Sequence, residues 1–307
     1  MTKTPAVTCR LAVAADAASA AGLVMLALND LMAKQNRPPL AATGETMVPV
    51  FGHVMTCCPE RFWVAEAEGE PVGFGAGLER GDLRYLAGLF VHPGRQGQGV
   101  GGELLRRAMA PGAGAAGKQA VLSSGANQIS NGLYARHGMY PLMPALSLTG
   151  KVAAHLDRPP LGSLVPDVLV AADAGTLRDV DVAVTSIDRT ADHDWLLGAA
   201  ERRGWVFRRG AEVAGYAYLG GDGTDEPGSV GPVAALQAPD AAAILGFALA
   251  QLGVGEEATV MVPGANQMAQ QLLWGAGFGL AGPVGLLGVS EPFGQFDRYI
   301  FAGNSLM

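Results

Sequence analysis

The sequence predicts a mixed α/β protein (α+β, helices around a mixed sheet) written as two tandem copies of one fold. A repeated block is the first sign. Gly125-Ala-Asn-Gln128 recurs as Gly264-Ala-Asn-Gln267, and the spacing holds beyond it: Leu133 answers to Leu272, Gly138 to Gly277 and Met139 to Phe278. A second block lies upstream. Arg61-Phe-Trp-Val64 ahead of Val72-Gly-Phe74 resembles Arg203-Gly-Trp-Val206 ahead of Ala214-Gly-Tyr216, in the same order and at nearly the same offset. Bulk composition is the third sign. A chain of 307 residues exceeds what one core usually supports, and 49% hydrophobic against 16% charged residues suits a large buried core rather than disorder. The expected organisation is a first domain over 1–150, a linker over 151–179 holding Arg158-Pro-Pro160 and Pro166, and a second copy over 180–307. The apolar run Leu169–Ala172 could add a strand to that linker.

In order, the first copy reads as a strand at 8–13, then a helix over 17–35 with Asp16 as its cap. A loop fills 36–46, and a second helix covers 47–58 with Pro49 in its first turn. Strands follow at 62–66, 72–78 and 83–91, joined by turns at Glu68-Gly69-Glu70 and Arg80-Gly81-Asp82. A glycine loop leads into a helix over 101–109, and strand 119–123, helix 128–136 and strand 140–148 complete the copy. The second copy takes the same order, with strands at 181–186, 204–209, 213–219 and 229–235, helix 240–252, strand 258–262, helix 266–275 and strand 278–288.

Charge and cysteine content exclude several classes of function. A net charge of -7 with no Lys/Arg cluster disfavours a nucleic-acid partner. Gly (44) and Pro (19) are frequent but have no period, which excludes a collagen-like chain. The N-terminal residues lack a signal-peptide pattern, and no 18-residue apolar stretch is free of charge and turn residues. No membrane partner and a cytoplasmic location are therefore expected. The three cysteines, Cys9, Cys57 and Cys58, suit a reducing compartment. Adjacent Cys57 and Cys58 lack zinc spacing and read as the apolar end of a helix, so no metal is expected.

The chemistry is concentrated in Leu86–Leu105, where a strand feeds a glycine-rich loop and a helix begins. Glycines let backbone N–H groups converge, and the positive end of the helix dipole faces the same point, a site suited to a polyphosphate. Gly97, Gly99 and Gly102 also satisfy the dinucleotide spacing G-x-G-x-x-G, but no acidic residue occurs between Glu103 and Asp157 to hold a ribose. A P-loop would need Gly-Lys-Ser/Thr, which is absent. A plain glycine-rich turn is the remaining reading without a ligand. The segment Gln96-Gly97-Gln98-Gly99-Val100-Gly101 resembles the Q/R-x-x-G-x-G/A signature of the GNAT N-acetyltransferase superfamily. Leu89-Phe90-Val91-His92-Pro93 before it, and Asn127 … Leu133-Tyr134 … Gly138-Met139 after it, are similar to that family's flanking strand and second signature, with Met139 in place of the usual Phe.

The resemblance implies two tandem acyl-CoA N-acyltransferase folds and acetyl-coenzyme A as co-substrate. The amides of Gln96, Gly97, Gln98, Gly99, Val100, Gly101 and Gly102 would hold the pyrophosphate. Leu89, Phe90 and Val91 would pair with the pantetheine and present an N–H to the acetyl carbonyl. Asn127 would bind the pantetheine arm. Tyr134 would contact the cofactor and protonate the departing thiolate, its bland alternative being a core aromatic. The base that deprotonates an amine is open among Glu79, Glu66, His53 and a water chain, with Glu79 put forward; each also reads as a solvated charge or packed imidazole. His137 reads as a helix C-terminal residue meeting the dipole.

In the second copy Leu273 stands where Tyr134 does, and Val233–Asp240 lacks the glycines. Pro239 removes a donor, and Asp240 would cap the helix and repel a phosphate. This copy is expected to be degenerate and to bind no coenzyme. The expected reaction is direct acetyl transfer to the amine of a small molecule by a monomer or homodimer. The alternatives are a non-catalytic coenzyme A sensor and a protein-modifying acetyltransferase.

Overall fold

The computed structural model describes residues 6–40, 44–111, 117–154, 156, 158–221 and 228–307. Part of the expected 36–46 loop, Ala41–Thr43, lies outside them. The chain forms two compact units, Met1–Val121 and Leu122–Met307.

Unit 1 contains β1 (Val7–Leu11), α1 (Asp16–Lys34), α2 (Val48–Cys57), β2 (Phe62–Ala67), β3 (Glu70–Arg80), β4 (Leu83–Val91), α3 (Val100–Ala108) and the start of β5 (Lys118–Ser124). Strands β1 to β4 form an antiparallel meander, and β5 joins β4 in parallel from Leu83↔Lys118 to Leu86↔Val121. The β2–β3 turn works because Glu68 (φ 56°) and Gly69 (φ 85°) both take the left-handed conformation, the pattern that matches strand twist in a two-residue hairpin. Helix α3 lies against β3 backbone to backbone. A Cβ on Gly75 would sit 3.0 Å from the Leu104 carbonyl oxygen, and one on Gly77 only 2.4 Å from that of Ala108. These glycines set how close α3 approaches the sheet, and hence where its N-terminus lies. On the other side Phe51, Phe62 and Phe74 form an aromatic cluster with centroids 5.2–6.0 Å apart.

One expectation for α1 needs revision. Asp16 is not its N-cap; that position is Ala15, without a side-chain cap. The Asp16 carboxylate instead accepts from the Val13 N–H at 2.7 Å and from both terminal nitrogens of Arg10 at 2.7 and 2.9 Å. The strong guanidinium donor outbids the helix amides, and Arg10 holds Asp16 below the ordinary carboxylate range. By length and composition alone α1 could cross a membrane. In unit 1 it buries Ala17, Ala20, Ala21, Leu23 and Val24 and packs on α2, β3 and β4.

Unit 2 contains α4 (Gln128–Arg136), β6 (Tyr140–Lys151), β7 (Val165–Val168), α5 (Arg178–Thr185), α6 (Thr190–Leu197), β8 (Arg203–Arg209), β9 (Glu212–Leu219), β10 (Val230–Ala235) and α7 (Ala238–Ala250). Then follow β11 (Glu257–Pro263), α8 (Gln267–Gly275), β12 (Gly279–Leu280), β13 (Gly285–Val289) and β14 (Tyr299–Ile300). One sheet runs β14-β10-β9-β8-β7. Elsewhere β6 is flanked by β11 (Glu257↔Lys151 to Pro263↔Ala145) and by β13 (Gly285↔Ala145 to Val289↔Tyr140), both antiparallel. The core gathers Phe207, Ile244, Leu245, Leu249, Val260 and Val262, each essentially solvent-free. From β8 onward the order β-β-β-α-β-α-β repeats that from β2 onward.

The expected strand at 181–186 is helix α5. Val180 and Val184 lie one turn apart on its buried face, while Asp179 and Asp181 occupy the first turn, where the dipole favours them. The extra linker strand is Val165–Val168, pairing with β8, rather than 169–172, where a short 3₁₀ turn begins at Ala171. The expected strand 278–288 is two pieces, separated around Pro283, which cannot donate to a ladder.

Candidate functional site

In unit 1 the site begins with a register defect. Ala76 pairs with Gly88 but Gly77 pairs with Leu86, so Ala87 is an extra residue bulging from β4. The parallel pairing with β5 stops at the same point, Leu86↔Val121. Beyond the bulge the His92 N–H donates to the Val72 carbonyl at 2.8 Å. By antiparallel alternation the N–H and C=O of Phe90 therefore point at β3, and those of Leu89 and Val91 point the other way. The Val91 carbonyl accepts from Gln96 Nε2 at 3.1 Å. The Leu89 backbone is left facing the flank where β5 pairing has ended, with its side chain half-buried.

The loop that follows is shaped by its own short contacts. Gly94 N–H donates to His92 Nδ1 at 3.1 Å, and Gln98 Nε2 donates to the Gly94 carbonyl at 3.2 Å. Gly97 (φ 74°) and Gly99 (φ 85°) are left-handed, a conformation costing other residues about 1–2 kcal/mol. A Cβ at either would meet nothing within 4 Å, so backbone handedness rather than crowding requires glycine in this state. Gly99 is the N-cap of α3 and carries no side-chain cap, and the first ladder bond is Glu103 N–H to Gly99 O at 3.1 Å. The N–H groups of Val100, Gly101 and Gly102 precede that bond and have no partner inside the helix. Glu103, the acid of the first turn, is engaged by Arg106 and Arg107 at 2.7 and 2.6 Å; these hold it below the ordinary carboxylate range, Arg106 first. An exposed, glycine-bared helix start with its acid already paired fits a pyrophosphate.

In unit 2, α4 carries Asn127 and Tyr134. Asn127 is the N-cap, its Oδ1 accepting from the Ser130 N–H at 3.1 Å. Tyr134 is buried, and burial pushes its phenol up to about 12, opposed by a hydrogen bond to Ser130; it keeps its proton at neutral pH. Asn131, which the sequence reading passed over, donates from Nδ2 to Ser124 O at 3.0 Å and shares a 2.7 Å hydrogen bond with Ser123 Oγ, fastening α4 to the end of β5. The only sequence signal for it was its position one turn after a capping Asn. His137 ends α4 with its ring on the Leu133 carbonyl at 2.9 Å.

The candidate bases are not gathered at the loop. Glu79 lies at the far end of β3 in an ion pair with buried Arg61, beside the Arg84 register position. From Arg84 to Val91 the strand covers roughly 24 Å. Glu66 on β2 is held by Arg10 at 2.8 Å, and His53 is buried on α2. Arg61 itself was not singled out from the sequence.

At the matching junction of the second repeat, Asp240 is not the cap. Gln237 is, without a side-chain bond, and Asp240 sits in the first turn, held by Arg209 at 2.9 and 3.0 Å. The salt bridge draws the carboxylate away from the helix amides, though its charge remains at that end. Asn266 caps α8, accepting from Ala269 N–H at 3.0 Å and donating to Tyr299 O at 3.1 Å, and Leu273 is fully buried.

Residues 58–138 match the family model described as "Acetyltransferase (GNAT) domain". Solved structures extend the likeness of fold to nearly the whole chain. A putative acetyltransferase from Pyrococcus horikoshii superposes with a TM-score of 0.76 at 16% identity, over 98% of this chain and 96% of that one. A GCN5-related N-acetyltransferase from Sphaerobacter thermophilus gives 0.58 at 18% identity, over 94% and 96%. A tandem GNAT protein from the clavulanic acid biosynthesis pathway gives 0.54 at 15% identity, over 94% and 99%. No curated protein matches the sequence.

Proposed function

We propose that the chain is an acetyl-coenzyme A-dependent N-acetyltransferase acting on the amine of a small molecule, with one coenzyme site, at the start of α3. The observation that carries this reading is the union of the Ala87 bulge, the end of β4–β5 pairing and the left-handed Gly97 and Gly99 ahead of an uncapped helix. Backbone N–H groups of Val100, Gly101 and Gly102 would hold the pyrophosphate. The outward backbone of Leu89 would take the pantetheine in place of a strand, and an N–H there would stabilise negative charge on the acetyl oxygen. Bound coenzyme supplies an activated thioester. Tyr134 is assigned as the proton donor and Asn127 as a contact of the pantetheine arm; the Asn127 Oδ1 serves the helix cap, which leaves its amide nitrogen for that contact. Glu79 is assigned as the base; it stands by Arg61 at the opposite end of β3 from the loop.

The C-terminal repeat, in this reading, is a degenerate copy without a second site, because Pro239 and Asp240 occupy the corresponding helix start. The acidic net charge of -7 favours a cationic acceptor. Incubating the protein with acetyl-coenzyme A and a panel of primary amines, and following release of free thiol, tests the assignment. Amine-dependent thiol release supports it; tight coenzyme binding with no turnover on any amine supports a sensor instead. The burial of Tyr134 and the ion pairing of Glu79 are what favour that second reading. Turnover confined to peptide amines would make the chain a protein-modifying enzyme.

A further inference from the structure

Helix α2 ends in two adjacent cysteines that coenzyme chemistry does not use. Cys58 is 3% exposed and Cys57 half-buried, while Thr56, Pro59 and Glu60 around them are exposed. Their sulfurs are held as polar groups rather than as apolar filling. The Glu79 backbone N–H donates to Cys58 Sγ at 3.4 Å. The Arg80 guanidinium reaches both thiols, Nη1 at 3.7 Å from Cys58 Sγ and Nη2 at 3.4 Å from Cys57 Sγ. The neighbouring carboxylate, Glu79, is ion-paired with Arg61. Two donors aimed at one sulfur, with a thiol next to it in the chain, are the surroundings of an activated cysteine and its resolving partner.

We propose that Cys58 and Cys57 are a modification site for hydroperoxides, closing to a vicinal disulfide that small thiols reopen. The Cys58 thiolate attacks the peroxide: an S–O bond forms, the O–O bond breaks, hydroxide leaves, and the sulfur is oxidised by two electrons to a sulfenic acid. The Cys57 thiol then attacks that sulfur, forming the S–S bond and releasing water. Overall, one peroxide is reduced and two thiols are oxidised. The hydrogen bond from the Cys57 thiol, then the Glu79 N–H and Arg80, hold Cys58 below the ordinary thiol range, while Cys57 is held above it. Adjacent Cα atoms lie about 3.8 Å apart, short of the roughly 4.4–6.8 Å that relaxed disulfides span, so the bond is strained and easily reduced. Closing it removes the sulfur acceptor from Arg80 and from the Glu79 amide, loosening the junction between α2 and β3. Cys9 is an internal control, since burial raises its thiol above the ordinary range.

The full-length protein is treated with hydrogen peroxide, then denatured and alkylated with iodoacetamide, and its peptides are weighed. The expected peptide carrying Cys57 and Cys58 has lost two hydrogens and takes no alkyl group, recovers both after dithiothreitol, and changes while Cys9 stays alkylated. Cys57→Ser should leave a sulfenic acid on Cys58 that dimedone traps, and Arg80→Met should slow closure by roughly tenfold as the thiolate fraction falls. If a variant does not fold, the wild-type peptide decides alone. The proposal is overturned if both cysteines remain alkylated after peroxide, if Cys58 passes to sulfinic acid without a disulfide, or if Cys9 is oxidised as fast.

Discussion

The two strand-to-helix junctions differ in what they keep. Both repeats place an Asn at the start of a later helix, Asn127 and Asn266, and both use its side-chain oxygen to cap the backbone three residues on. Only the first junction has left-handed glycines, and its first-turn acid, Glu103, is held by Arg106 and Arg107; the second has Pro239, and Asp240 bound to Arg209. The repeated tetrapeptide is thus a folding device common to both repeats, while the left-handed glycines belong to the first junction alone of the two.

The contrast can be broken most directly by counting sites. Calorimetry should find one acetyl-coenzyme A per chain; two per chain would erase the difference. Gly99→Val, which forces a β-branched side chain into the left-handed region beside the first-turn amides, should cost roughly 4 kcal/mol of binding, about a thousandfold in Kd. The reverse exchange, Pro239→Gly with Asp240→Gly, should leave stoichiometry at one.

Packing supplies the next largest effect. Gly77→Val drives a side chain into the Ala108 carbonyl and should cost about 3 kcal/mol of stability in urea unfolding. Weakened coenzyme binding in the same variant would tie the placement of α3 to the loop. The caps come next. Asn266→Ala should cost about 2 kcal/mol, because Asn266 is buried and also donates to Tyr299, and the half-buried Asn127→Ala about 1. Equal losses would mean that the second bond of Asn266 contributes nothing.

The smallest effect separates Tyr134 from Leu273. Since the folded phenol lies near 12 and an unfolded one near 10, Tyr134 adds stability that is fully present below about pH 10 and lost as pH rises toward about 12. By pH 10.5 the wild type should have lost roughly 0.8 kcal/mol relative to Tyr134→Phe, measured by urea unfolding at matched pH. A flat difference between pH 8 and 10.5 would mean that Tyr134 is solvated.

Much of the architecture was legible because it rests on local rules. Turn residues at Glu68-Gly69 and Gly81 and the glycine run before α3 each declare themselves within a few positions. What was hidden depends on partners distant in sequence. Asp16 looked like a cap until Arg10 competed for it, and Asp240 likewise until Arg209 did. The 181–186 segment reads as a strand, but Val184 stands at helical spacing from Val180 just ahead of it, and short segments of this kind are decided by tertiary packing. The Ala87 bulge was unreadable because register is a property of two strands, and no signal in β4 alone marks an extra residue.

The pairing of β6 with β11 carries a further consequence. Thr149 and Thr259, 110 residues apart, share a 2.9 Å hydroxyl hydrogen bond across this ladder. As the ribosome extends the chain, β6 emerges long before either of its neighbours exists, and its backbone stays open to strangers in the meantime. Nascent protein halted between the repeats should therefore lean on chaperones, and maturation should run at the pace of the last strands rather than the first.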